Sequence, residues 1–142
     1  LARENFSFCH PFRIRYSEVD AQKVVFNAHY LTYFDTAITE YFRWLPFDYM
    51  GNIDKTGNDF HTVRTLVEYK APLFFDENID VYVRISKIGR SSLTFYIEIY
   101  ADEEMIPRTT GEVVWVYTNQ QTGKSSPLDE ELLEILQKKG MQ

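Results

Sequence analysis

Two features of this sequence could do chemistry together. One is the carboxylate of Asp20. The other, seven residues on, is Asn27, which stands just before a long segment of helical apolar periodicity. A helix start carries amides without intrahelical acceptors and the positive end of the helix dipole. Thioester cleavage needs a group that attacks or activates water, and donors for the charge growing on the carbonyl oxygen. A carboxylate facing a helix start supplies both from one short stretch: Asp20 the first, and the unpaired amides of that helix start the second. Asp20 would equally serve as a turn-former whose carboxylate accepts local amides, and the residues alone leave both readings open. His29 in the first helical turn is a further candidate, or a partly buried histidine. Gly89, Arg90, Ser91 and Ser92 offer a guanidinium, hydroxyls and amides to a phosphate, or form a solvated turn.

Other mechanisms lack their residues. There is no G-x-S-x-G elbow, phosphate-binding G-x-x-x-x-G-K-S/T loop, G-x-G-x-x-G or H-E-x-x-H. His10, His29 and His61 have no metal-ligand spacing, so no metal is expected. Cys9 is the single cysteine, which excludes an intrachain disulfide and a cysteine metal cage. The formal charge of −6 argues against a broad nucleic-acid or anionic-membrane surface, though not against one phosphorylated small molecule. No apolar run approaches the ~20 residues that span a bilayer. Without a long apolar stretch in LARENFSFCH, the expected location is cytoplasmic. Ten Tyr and eleven Phe exceed what one small core needs, which points to an aromatic-lined pocket or subunit interface.

The elements that must position these groups follow from periodicity. FRIRY at 12–16 alternates as a half-buried strand, with Phe12, Ile14 and Tyr16 on one face. From Ala28, Tyr30, Phe34, Ala37, Ile38, Tyr41 and Leu45 form one helical stripe. Asn27 is the expected N-cap, and Pro46 stops the helix near Trp44 or Leu45. Residues 46–60 read as a loop with one helical turn around FDYM. Strands follow in which Val63, Thr65, Val67 and Tyr69 share a face. So do Ile79, Val81, Val83 and Ile85; Leu93, Phe95, Ile97 and Ile99; and Gly111, Val113, Trp115 and Tyr117. An amphipathic helix from about Asp129 to Lys138 closes the chain. One domain over residues 1–142 is expected, an α+β layer in which an antiparallel sheet buries one dominant helix.

The stretch FRIRYSEVDAQKVVFNAHYLTYFDTAITEYFRWL resembles the opening of hotdog-fold thioesterases of the 4-hydroxybenzoyl-CoA and Tol-Pal-associated acyl-CoA type. The likeness lies in Tyr16, Asp20, Val24, Val25, Phe26, Asn27, Ala28, Tyr30 and Glu40. VEYKAPLFFDENIDVYVRISKIGRSSLTFYIEIY resembles the family's later strands, and together the likeness runs from about Phe12 to Leu128. The resemblance implies a hotdog fold: a curved five-stranded antiparallel sheet wrapped around one long central helix, with a short C-terminal helix. It implies hydrolysis of acyl-CoA, or of an acyl-carrier-protein thioester, at sites between protomers of a dimer or dimer of dimers. Coenzyme A enters as part of the substrate, with no separate cofactor. Asp20 maps to the catalytic aspartate, acting as nucleophile or base. The oxyanion donor maps to the amide of Asn27 or its neighbour Ala28, and CoA phosphates to the turn at Gly89–Ser92. Val25, Phe26, His29, Tyr30, Phe34 and Tyr69 are the expected substrate contacts, and such aromatic walls suit short, medium or aromatic acyl groups. Gln22 and Lys23 stand where many members have glycines, and Asn27 where close relatives have His or Tyr. A dehydratase or hydratase on an acyl thioester, or an acyl-CoA binding protein without turnover, are the rival readings.

Overall fold

The computed structural model describes residues 2–140. Strand β1 (Cys9–Arg13) leads through a 3-10 turn at Tyr16–Glu18 to the long helix α1 (His29–Trp44). Helix α2 (Tyr49–Thr56) follows, then β2 (Asn58–Tyr69), β3 (Asn78–Ile88), β4 (Ser92–Ala101), β5 (Thr109–Asn119) and α3 (Glu130–Ile135). The five strands form one sheet in the order β1-β3-β4-β5-β2, antiparallel throughout. This is the expected hotdog arrangement.

Register explains the core. Val83 faces Ile97, which faces Gly111; Ile85 faces Phe95, which faces Val113; and Leu93 faces Trp115. These residues form one inner surface, and Tyr30, Phe34, Ala37, Ile38, Tyr41 and Leu45 of α1 are buried against it. The helical stripe and the three inner strand faces are thus as the sequence predicts. Gly111 decides how near the helix comes. A Cβ there would lie 2.3 Å from Cζ of Phe34 and 3.2 Å from the Leu66 carbonyl oxygen, so the absent side chain is what admits the Phe34 ring.

Three expectations need correction. The first strand lies at Cys9–Arg13 rather than 12–16. The chain leaves the sheet at Ile14, which is buried, and Tyr16 is 75% exposed in the following turn. The apolar alternation of FRIRY simply outruns the pairing with β3. Pro11 is tolerated because β1 is an edge. Second, the residue at the cap of α1 is Ala28, already in helical geometry and without a side-chain cap. Asn27 stands one position earlier: bonds from the His29 and Tyr30 amides to the Phe26 and Asn27 carbonyls wind the chain into the helix directly. Third, the loop after α1 holds a helix of two turns. Asp48 caps it by accepting from the Gly51 amide at 3.1 Å, and Gly57 ends it at φ 72°.

Candidate active site

Asp20 occupies the tip of a short loop. Val19 bridges Val25, the Asp20 N–H donates to the Val24 carbonyl at 3.0 Å, and the Lys23 N–H returns to the Asp20 carbonyl at 2.9 Å. Lys23 closes the turn at φ 65°. Oδ1 of Asp20 accepts from the Gln22 amide at 2.8 Å. The turn-forming role is therefore real, yet it uses one carboxylate oxygen. The side chain is exposed, and among the described residues Oδ2 has no partner.

The loop is held from two sides. Val24 bridges Phe74, the Val25 N–H donates to the Leu73 carbonyl at 2.8 Å, and the Phe75 N–H to the Lys23 carbonyl at 3.0 Å. On its inner side sits Glu18, 6% exposed. Its carboxylate accepts from the Arg15 amide at 2.8 Å, the Tyr33 hydroxyl at 2.9 Å and the Arg15 guanidinium at 3.1 Å. Burial pushes the Glu18 carboxyl up, but these bonds outweigh it and leave the group below the ordinary carboxylate value. Tyr33 shows the reciprocal effect: burial, then the adjacent negative charge, raises its hydroxyl far above the usual phenol range. A carboxylate in the loop is thus tied to the second turn of α1. Neither Glu18 nor Tyr33 announces this in the sequence, because fifteen residues separate them.

The Glu18 carbonyl accepts from the Phe26 N–H at 3.0 Å, so the loop folds back beside the start of α1. There the amides of His29 and Tyr30 are engaged. Among the described residues those of Asn27 and Ala28 have no acceptor. Both amides stand at the positive end of a 16-residue helix, where negative charge is favoured.

A cleft of about 350 Å³ opens beside these amides, against Val24, Val25, Asn27, Tyr30, Tyr69 and the 70–72 turn. Tyr30 is buried and meets the Tyr69 ring edge-on at 4.9 Å. Burial raises the Tyr30 hydroxyl, which keeps it a neutral donor. Phe26, half exposed, stands near His29 with ring centroids 6.3 Å apart. Of the sequence-derived candidates, Val25, Asn27, Tyr30 and Tyr69 border this cleft, whereas Asp20, Phe26, Ala28 and His29 stand in the loop and helix start that adjoin it. Phe34 lies one helical turn beyond the cleft, in the core.

The Gly89–Ser92 turn does not join them within one chain. It connects β3 to β4, with the Gly89 N–H on the Ser92 carbonyl at 2.8 Å, whereas the cleft lies at the end where β2 reaches Tyr69. In register, Tyr69 pairs with Thr109 and Ser92 pairs with Val116, near opposite ends of β5. Among the described residues no three His, Cys, Asp or Glu side chains gather to hold a metal ion, and no helix is long and apolar enough to cross a membrane.

Comparison with known proteins agrees with this architecture. A family profile described as the thioesterase-like superfamily matches residues 14–136. A putative esterase of Aquifex aeolicus is 27% identical over 129 residues, 91% of this chain and 97% of that protein. The acyl-CoA thioesterase YbgC of Haemophilus influenzae is 28% identical, covering 87% of this chain and 86% of its own. Among solved structures, a DHNA-CoA thioesterase from Staphylococcus aureus superposes with a TM-score of 0.82 at 26% identity, over 92% and 88% of the two chains. A thioesterase from Thermus thermophilus, complexed with coenzyme A and Zn, gives 0.80 at 27% identity, over 95% of each chain. With its matched span covering nearly all of the described residues, the chain belongs to the thioesterase-like superfamily and is a thioester hydrolase built on the hotdog fold.

Proposed function

We propose that this enzyme hydrolyses acyl-CoA thioesters to a free carboxylic acid and CoA, with Asp20 as nucleophile or general base. The observation that carries the reading is an exposed Asp20 carboxylate with one oxygen unspent, in a loop that folds back beside the start of α1, where the Asn27 and Ala28 amides lack acceptors. The thioester carbonyl oxygen docks on the Asn27 and Ala28 amides, whose donors cost no reorganisation as charge develops. Asp20 either adds to the carbonyl carbon, giving a mixed anhydride that water opens, or takes the proton of an attacking water. In both routes the C–S bond breaks as CoA thiolate leaves. A thiol pKa of about 8.5 makes that departure feasible without a strong acid. CoA is the carrier in this reading because a thioesterase of similar sequence is named for acyl-CoA and a similar structure contains coenzyme A. The site of action is the cytoplasm.

The active unit is a homodimer formed across β2. This twelve-residue strand pairs with β5 on one side and has no partner strand on the other among the described residues, and its faces carry Val63, Leu66 and Tyr69, 60%, 39% and 54% exposed, beside Arg64 and Glu68. A long strand edge with unpaired backbone groups invites a partner strand. Antiparallel pairing of two β2 strands brings the far end of one sheet beside the cleft of the other. The Gly89–Ser92 turn then serves CoA phosphates from the partner's side, which accounts for its distance from Asp20 within one chain.

The test is a panel of saturated and enoyl acyl-CoA esters with thiol release followed by a colorimetric trap, Asp20→Asn (D20N) beside the parent. Thiol release by the parent and a loss of at least ~10²-fold in D20N are expected. Near-parental turnover of every good substrate by D20N, or hydration of enoyl esters without thiol release, would refute the reading.

A further inference from the structure

Strand order decides what crosses the end of the sheet where the cleft lies. β2 and β3 follow one another in the chain but are separated in the sheet by β5 and β4. The connection between them, residues 70–77, therefore passes over the ends of those two strands. There it meets Arg108, which stands just before Thr109 opens β5. The Arg108 carbonyl accepts from the Lys70 amide at 2.9 Å and the Ala71 amide at 3.0 Å. Its Nη1 donates to the Pro72 carbonyl at 2.9 Å and to Glu77 at 2.8 Å. Nε and Nη2 hold the two carboxylate oxygens of Glu104, at 3.0 and 2.6 Å. All three guanidinium nitrogens are thus engaged. Glu77 is shared, because the oxygen that meets Arg108 also accepts from the Phe74 amide at 2.7 Å. The Arg108 side chain is 14% exposed and that of Glu77 18%, so this fork works largely out of water.

The same connection carries the Asp20 loop. The Leu73 carbonyl accepts from Val25, Phe74 bridges Val24, and the Phe75 N–H donates to the Lys23 carbonyl. Lys70, Ala71 and Pro72 meanwhile form one wall of the cleft. Arg108 therefore holds residues 70–72 and 77 of a short ribbon whose residues 73–75 hold the loop. Leu73 is buried and anchors the ribbon to the core, and bonds between Ile14 and residues 76 and 77 fix its far end. Phe74, Phe75 and Asp76 are exposed and gain no such packing.

We infer that Arg108 is a positioning residue for the proposed hydrolysis: by clamping the 70–77 connection, it sets where the Asp20 carboxylate stands against the cleft wall. It acts through the ribbon and touches no reacting atom. The inference rests on Asp20 acting in catalysis, but the mechanical link from Arg108 to the loop is measurable apart from it. Arginine is needed for its shape. Lysine keeps the charge but presents it at one point, which cannot span the Pro72 carbonyl, Glu77 and both oxygens of Glu104.

Two variants test the clamp, so that one suffices if the other does not fold. Arg108→Lys (R108K) removes the fork, and Glu77→Ala (E77A) removes the shared carboxylate. Tyr117→Phe (Y117F) is the control, since it loses a buried hydrogen bond to Asn52 near the opposite end of β5. Steady-state kinetics use the saturated acyl-CoA ester that the parent turns over fastest. R108K and E77A lower kcat at least ~fivefold, short of the ~10²-fold that a 1 Å misplacement costs. KM stays within about threefold of the parent's, and Y117F keeps kcat within about twofold. In the D20N background R108K lowers the residual rate less than about twofold, because residues that act as a unit are not additive. Amide exchange read by mass spectrometry needs no turnover: around Val25 and Phe75 it is about tenfold faster in both variants, while β4 keeps its protection. Parental kcat in both variants, a change confined to KM, an equal fractional loss in D20N, or a loss in Y117F as large as in R108K overturns the assignment. If the parent releases no thiol, or D20N matches the parent, the hydrolysis reading fails and exchange alone decides the link. Faster exchange at Val25 and Phe75 then upholds the clamp, and unchanged exchange removes it.

Discussion

Replacing Tyr33 by phenylalanine (Y33F) removes one hydroxyl from the bond that ties the Asp20 loop to α1 and leaves the ring packed against Phe12, 5.4 Å between centroids. The lost contact is a 2.9 Å hydrogen bond to a buried, ionised carboxylate. Bonds to charged groups contribute about 1.5–3 kcal/mol, and Glu18 keeps its Arg15 partners in the variant, so the lower end of that range applies. Glu18→Ala (E18A) is worse, because it strands the buried Tyr33 hydroxyl as well as the Arg15 amide. About 2–4 kcal/mol is expected from two such losses. In the double variant Y33F adds little to E18A, a coupling of about 1.5 kcal/mol between contacting residues. Urea unfolding at one fixed protein concentration measures all four proteins without confusing fold and association.

Acid separates this account from generic destabilisation. The folded state holds the Glu18 carboxyl below its ordinary value. Its contribution is therefore complete above the unfolded value of about 4.3, and it is lost as pH falls through the lower folded value. Glu18→Gln (E18Q), which has no proton to take up, shows a shallower loss of stability over that acid range. Y33F also lowers kcat, by less than the ~10²-fold that a 1 Å misplacement of a catalytic group costs. Y33F within about 0.5 kcal/mol of the parent, the range of a neutral surface change, together with an acid limb identical in E18Q, would refute the reasoning.

Gly111→Ala (G111A) places a methyl 2.3 Å from the Phe34 ring and 3.2 Å from the Leu66 carbonyl. Overpacking of this kind costs about 1–3 kcal/mol, read as a lower urea midpoint with unchanged slope; a parental midpoint would mean that α1 moves away freely. Leu66→Lys (L66K) puts a charge on the open edge of β2, and sedimentation should show the dimer giving way to monomer at micromolar concentration. A dimer as tight as the parent's places the subunit contact elsewhere.

What the sequence disclosed and what it hid divide along physical lines. The stripe of α1 and the inner faces of β3, β4 and β5 were legible because each is a strict local period whose every apolar member is buried. The bounds of strand β1 are not legible because Ile14 and Tyr16 continue an alternation after the pairing with β3 has stopped at Arg13. Helix α2 is only partly legible because Gly51, Asn52 and Asp54 are poor helix formers, and its frame is the cap pair Asp48 and Gly57 rather than its interior. Asp20 was legible as a position, seven residues ahead of Asn27, but its double use was not. Only the folded loop shows Oδ1 spent on Gln22 and Oδ2 left over. Least legible was the aromatic cavity of about 550 Å³ against Phe42, Phe47, Tyr49, Phe60 and Trp115. Trp115 belongs to the inner face of β5, but Phe42 stands beside the stripe of α1 rather than in it, and the two rings stack at 5.7 Å only once α1 lies across β5. Phe47, Tyr49 and Phe60 come from the segment after α1, whose sequence carries no period to join them to Phe42 and Trp115. The cavity exists because the polar lip of α1 at Asp35 and Thr39 and the outer strand β2 stand apart above these rings.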